Sequence, residues 1–211
     1  MFRTLLLISL TIALILALSA RDFYSQSGNS AREILASQPD FMGEETIMDF
    51  EPAIGGGFSA TSKIAKKGST YRRDNGFFIF FSKPNQPTLR LDPKSKTYDE
   101  LPVTENDRFL WYSHANDVET FAKKEKIKFE VAGTEKVDGH ECVKIKATPE
   151  SQSSKGEEAI YFYAAKDLRN VVIRIEIKIP NRITAYTVEN ITFNVPSNLF
   201  DIPARYRRER A

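Results

Sequence analysis

The clearest pattern along the chain is an alternation of apolar and polar residues with a period of two, broken by short turn sequences, which is the signature of antiparallel strands with one buried face. In VVIRIEIKIPNRITAYTVENITF, residues Val171, Ile173, Ile175, Ile177 and Ile179 fall on one face, and Arg174, Glu176 and Lys178 fall on the other. Pro180-Asn181 turns the chain, and a partner strand is predicted from about Ile183 to Phe193. Phe58 to Lys66 and Ser69 to Asn75 read as a hairpin around Lys67-Gly68. The run Gly55-Gly56-Gly57 ahead of it reads as a flexible lead. GFFIFFS, Gly76 to Ser82, is apolar on both faces and predicts a central strand covered on both sides. PTLRLDPKSKTYDELP supplies two short strands around Asp92-Pro93-Lys94-Ser95, where proline presets a type I turn.

Helical signals are few and short. Asn29 or Ser30 can cap a helix through AREILAS, and Thr104 one through ENDRFLWYS. Asn116 with Glu119 has capping-box spacing ahead of VETFAKKE. The pattern predicts an α+β protein, mostly antiparallel sheet arranged as a meander, with a few short helices.

The stretch GTEKVDGHECVKIKA gathers Asp138, His140, Glu141 and Cys142 and holds the one cysteine and one of the two histidines. A two-residue Asp138-Gly139 turn would set Val131 opposite Lys146 and Phe129 opposite Thr148, which puts apolar side chains across from polar ones. A three-residue loop, Val137 to Gly139, sets Val131 against Ile145, Phe129 against Ala147 and Glu130 against Lys146, so apolar meets apolar and charges pair. On that reading His140 and Cys142 share a face with Lys144 and Lys146, Glu141 points the other way, and the cluster is a hairpin tip. Zinc requires three or four ligands, and His114 lies in a distant connection. A nucleophilic cysteine needs an activating base and an electropositive pocket. No GxSxG, HExxH or phosphate-binding loop is present. The reading is therefore a non-enzyme, with no catalytic residues, no metal and no cofactor.

The first twenty residues change the picture of where the protein acts. Arg3, an apolar run from Leu5 to Leu18, and the small residues Ser19 and Ala20 have the layout of an export signal, with cleavage after Ser19 or Ala20. A retained membrane anchor is the alternative. No cysteine follows that could carry a lipid. The sequence divides into a signal at 1–20, an N-terminal segment with a short helix at 21–57, a curved-sheet domain at 58–206 and a basic tail at 207–211. Lys and Arg number 30 against 28 Asp and Glu, a near balance with no nucleic-acid footprint. The exception is ARYRRERA, whose Arg205, Arg207, Arg208 and Arg210 read as a solvated tail, with a membrane surface as the other candidate partner.

The LDPKSKTYDELP and GTEKVDGHECVKIKA hairpins, the YFYAAKDLRNVVIRIEI strand pair and the FDIPARY ending together resemble the LolA-like superfamily, whose members include the periplasmic carrier of outer-membrane lipoproteins. The resemblance spans about Phe58 to Tyr206. It implies a strongly curved, unclosed antiparallel sheet (an unclosed barrel) with a few short helices covering its concave apolar face, which receives acyl chains in a periplasmic or otherwise extracytoplasmic protein, and an arginine in an early strand that helps hold the lid; Arg72 or Arg73 occupies a comparable place.

Independently of the resemblance, Val131, Val143, Ile145, Val171, Ile173, Ile175 and Ile177 form an apolar wall too large to face water. Phe109, Leu110, Trp111, Val118 and Phe121 on the short helices are candidates to cover it. Complete coverage would make the wall a core. Partial coverage would leave a lipid-sized cleft. The expected ligand is the acyl chain of a lipid or lipoprotein, carried by a monomer. The competing expectation is a regulatory or interaction module of the cell envelope on the same fold.

Overall fold

A computed structural model describes residues 30–51, 55–83, 86–101, 126–149 and 159–209. Twelve strands form one unclosed sheet: β1 (Phe41–Glu51), β2 (Gly56–Lys67), β3 (Thr70–Asp74), β4 (Ile79–Ser82), β5 (Thr88–Asp92), β6 (Thr97–Leu101), β7 (Ile127–Val137), β8 (His140–Pro149), β9 (Ala159–Ala165), β10 (Val171–Ile179), β11 (Arg182–Thr192) and β12 (Arg207–Arg208). Their order in the sheet is β12-β6-β5-β4-β3-β2-β1-β11-β10-β9-β8-β7. The architecture is thus two antiparallel meanders, β1 to β6 and β7 to β11, joined where β1 pairs with β11. The sheet is curved, as expected. A helix at 30–36 is the one α-helix among the described residues. The two other expected helices fall in 102–125, outside them.

The sheet begins earlier than the sequence reading placed it. β1 lies inside the segment taken as an N-terminal extension, yet it is a central strand with neighbours on both sides. Gly56 and Gly57 are not a lead but the start of β2, paired with Glu51 and Phe50. Gly43 faces a bulge in β11, where Met42 to Glu44 lie opposite the longer stretch from Thr192 back to Glu189, and the two chains pass so near that a Cβ at Gly43 would sit 2.8 Å from the Glu189 carbonyl oxygen. The chain's end is likewise part of the sheet. Arg207 and Arg208 pair in parallel with Thr97 and Tyr98 at the β6 edge, and Arg208 bridges to Glu100 at 2.9 Å.

GFFIFFS departs from its reading as well. The side chain of Asn75 accepts hydrogen bonds from the Phe77 and Phe78 N–H groups at 3.0 and 2.8 Å, and Asp74 accepts one from Gly76. These bonds commit Gly76 to Phe78 to a turn, so β4 starts only at Ile79 and Phe77 stands 79% exposed.

The β7–β8 hairpin has the expected pairs Val131–Ile145, Phe129–Ala147 and Glu130–Lys146, reached by a different route. The loop is the two-residue Asp138-Gly139, both with positive φ (48° and 91°), as such a tight turn demands. The extra residue that restores the register is a bulge between Val131 and Gly133. Moving the bulge out of the loop lets the turn use its preferred Asp-Gly chemistry while the buried face stays in phase.

The buried core runs from the helix (Ala31, Leu35) through Ile64 and Tyr71 of β2 and β3 to Phe129, Ile145, Phe162 and Ile175 of β7 to β10. Gln38, just past the helix, ties the layers together. Its side chain accepts from the Val172 N–H at 2.8 Å and donates to the carbonyls of Asn170 and Ile34 at 2.7 and 2.9 Å, while its own carbonyl accepts from Lys66 Nζ at 2.8 Å.

Candidate functional site

The register divides the inner face into two halves. One is apolar. Phe129 pairs with Ala147, and Val131 with Ile145; Ile145 pairs with Phe162, and Phe162 with Ile175; Ala147 pairs with Ile160, and Ile160 with Ile177. Ile145, Ile173 and Ile175 are fully buried, and Val131, Val143 and Ile177 are partly exposed. Val171 is buried too but does not belong to this surface. A β-bulge between Val172 and Arg174 reverses the alternation, so Val171 pairs with Ala165 and shares the outer face with Tyr163 and Arg174. The outer face here carries Lys144 over the rings of Tyr161 and Tyr163, at 4.8 and 5.3 Å from their centroids, with Arg174 and Glu176 paired at 2.9 Å.

The other half of the inner face, on β1 to β3, is polar, and the sequence reading missed it. Glu45 of β1 lies opposite Ser62 of β2, and Arg73 of β3, opposite Ile64, reaches diagonally back to both. Arg73 Nε stands 3.1 Å from Glu45 Oε2 and donates to Ser62 Oγ at 3.2 Å. Glu45 is 2% exposed and Arg73 8%. Among the described residues no donor is aligned to hydrogen-bond Glu45 Oε2. Burial outweighs the nearby guanidinium and pushes the Glu45 carboxyl up to about 7. Tyr186 of β11, diagonal to Glu45, is raised in turn, by its own burial first and by the Glu45 charge second.

The two candidate arginines separate cleanly. Arg73 is inward and paired with Glu45. Arg72 points the opposite way and bridges to Asp74 at 2.9 Å. Phe109, Leu110, Trp111, Val118 and Phe121, expected to cover the wall, lie outside the described residues. Glu45 itself carried no detectable signal in sequence, because a lone glutamate near an unpredicted strand looks like surface.

The hairpin tip divides its candidate side chains between surface and interior. His140 Nδ1 is 2.8 Å from Asp167 Oδ2 at the surface. Cys142 is fully buried under the 3-10 turn Lys166–Leu168, and burial pushes its thiol up, away from the thiolate. No cluster of three or more metal-ligating side chains occurs among the described residues. Arg207 and Arg208, expected as a solvated tail, have exposed side chains on a backbone held in β12.

Comparison with solved structures gives the fold its relatives. MucB superimposes with a TM-score of 0.53 at 13% identity, over 84% of this chain and 63% of MucB. The fold is that of MucB. A LolA superfamily protein from Nitrosomonas europaea aligns over 85% of this chain and 97% of its own, at 10% identity and a TM-score of 0.44. The Mycobacterium tuberculosis lipoprotein LppX aligns over 81% and 94%, at 13% identity and 0.42. No family model matches the sequence, and no curated protein is similar to it.

Proposed function

We propose that this LolA-like chain is an exported carrier that holds an acyl chain of a lipid or lipoprotein against the inner face of its sheet. The observation that carries the reading is the apolar half of that face. It is a continuous surface across β7 to β10, fully buried at Ile145, Ile173 and Ile175 and partly exposed at Val131, Val143 and Ile177. An acyl chain gains about 0.8 kcal/mol for each methylene withdrawn from water, so about ten buried methylenes suffice for micromolar binding after the cost of association. Val131, Val143, Ile145, Ile173, Ile175 and Ile177 are the proposed wall, Trp111 and Phe121 the proposed cover, and Arg73 the proposed anchor of that cover. An N-terminal signal would place the protein outside the cytoplasm.

Native mass spectrometry of the exported protein tests this by the lipid it retains, together with titration of a fluorescent fatty acid. Micromolar binding that Phe121→Ala weakens, while the variant still melts cooperatively, is the expected result. Absence of any lipid at micromolar concentration would remove the carrier and favour an envelope interaction module; MucB, which shares the fold, has been solved in complex with MucA.

A further inference from the structure

The large apolar side chains that the fold leaves exposed are not scattered. Met48, Phe50, Phe58, Phe77 and Ile183 are between 38% and 79% exposed. The strand pairing puts all of them toward one end of the sheet. Phe50 lies opposite Ile183 on the outer face, with Met48 two residues along, and Phe58, opposite Asp49, lies on the inner face. β2 pairs with β3 only from Lys63 onward, so residues 56–62 run past the β3–β4 turn with one edge unpaired. The end of β1–β2 therefore projects, and Phe77 stands at the tip of the β3–β4 turn facing the same way. That tip is held by four hydrogen bonds, from Gly76, Phe77 and Phe78 N–H to side chains and from Asn75 N–H to the Phe78 carbonyl, so the ring is presented by a fixed turn.

Cations lie at the same end of the sheet, toward its two edges. Lys94 and Lys96 are exposed in the β5–β6 turn at this end, Arg207 is tied beside them through its N–H to the Lys96 carbonyl at 3.1 Å, and Lys126 is exposed at the start of β7. Lys94, Lys96 and Lys126 enter no ion pair among the described residues. The nearest acid in that turn, Asp92, has an oxygen occupied by the Lys94 and Ser95 N–H groups at 2.7 and 3.1 Å.

The geometry points to this end of the sheet as a membrane-docking rim that inserts Phe50, Phe58 and Phe77 among anionic lipid headgroups. Two features favour a bilayer over a protein partner. The apolar residues sit on both faces of a projecting strand end, so a protein would have to wrap around the edge, whereas a lipid interface receives a protruding edge from all sides. Aromatic residues with lysines exposed at the same end of the sheet also match the layered chemistry of that interface, apolar below and anionic above. The inference stands apart from the carrier reading, since a rim can dock whether or not the inner face holds an acyl chain.

Flotation of the full-length mature protein with vesicles of phosphatidylethanolamine and phosphatidylglycerol is the test. The expected result is co-flotation that falls at least about tenfold in the triple variant Phe50→Ser, Phe58→Ser, Phe77→Ser, with unchanged melting and unchanged fatty-acid titration. Lys94→Glu with Lys96→Glu is expected to abolish the preference for phosphatidylglycerol over phosphatidylcholine vesicles. Failure of the wild type to float, or equal flotation of the triple variant, would overturn the inference. So would self-association in ultracentrifugation that the triple variant abolishes, because a second copy would then be the occupant. A protein that floats but binds no fatty acid would sink the carrier and leave the rim standing.

Discussion

The two halves of the inner face are built from the same strand geometry and stabilised by opposite means. On β7 to β10, Ile145, Phe162 and Ile175 exclude water without directional bonds, so the surface accommodates changes in shape and works by area. On β1 to β3, Glu45, Ser62 and Arg73 are nearly as buried but depend on one arrangement of charge and donor. The first half tolerates repacking. The second holds its place because any displacement leaves a charge without water or partner.

The comparison breaks most sharply at Arg73. Arg73→Ala is expected to cost roughly 3–5 kcal/mol in urea unfolding at pH 8, where Glu45 is left as a buried charge. At pH 5 the cost should shrink markedly, because Glu45 then takes up a proton. The double variant Glu45→Leu, Arg73→Met should recover most of the loss at both pH values, as replacing a buried pair by apolar residues commonly does. Equal cost at both pH values would show that Glu45 is not the group left uncompensated.

A smaller effect should be visible in the unmodified protein. The folded Glu45 carboxyl, at about 7, lies above its ordinary value of 4.5, so the folded state holds that proton more tightly than the unfolded chain. Stability from this group is therefore full below pH 4.5, falls as pH rises toward 7 and levels off above it, by up to about 3 kcal/mol. Glu45→Gln should flatten the profile in that window, measured as urea midpoint against pH. The smallest effect is expected in the apolar half, where Ile145→Val removes one methylene at a cost of about 1 kcal/mol with no pH dependence. A pH-dependent loss there would mean that the two halves are not separable.

What could be read from sequence follows the same division. β10 and β11 announce themselves because each buried position is apolar and each exposed one polar. The β5–β6 turn does so because Asp92 and Pro93 are the residues its backbone needs. β1 does not. Its inner positions include Glu45 and Asp49 and its outer ones Met48 and Phe50, so charge lies inside and apolar residues outside, and the alternation is erased at the strand that carries the polar half. The bulges at Ala132 and Ile173 were equally silent. An inserted residue leaves composition unchanged and shows only in the register, which is why Val171 was placed with Ile175 and sits on the opposite face.

The junction of β1 with β11 also sets an order of events. Asp49 and Arg182, which pair across it, are 133 residues apart in the chain. A chain emerging amino-terminus first can form hairpins early, but β1 keeps an unsatisfied edge until almost the last long strand has appeared, and such distant pairings close slowly. The molecule therefore remains without a complete sheet for nearly the whole of its synthesis, which makes an open strand edge the thing a chaperone must shield.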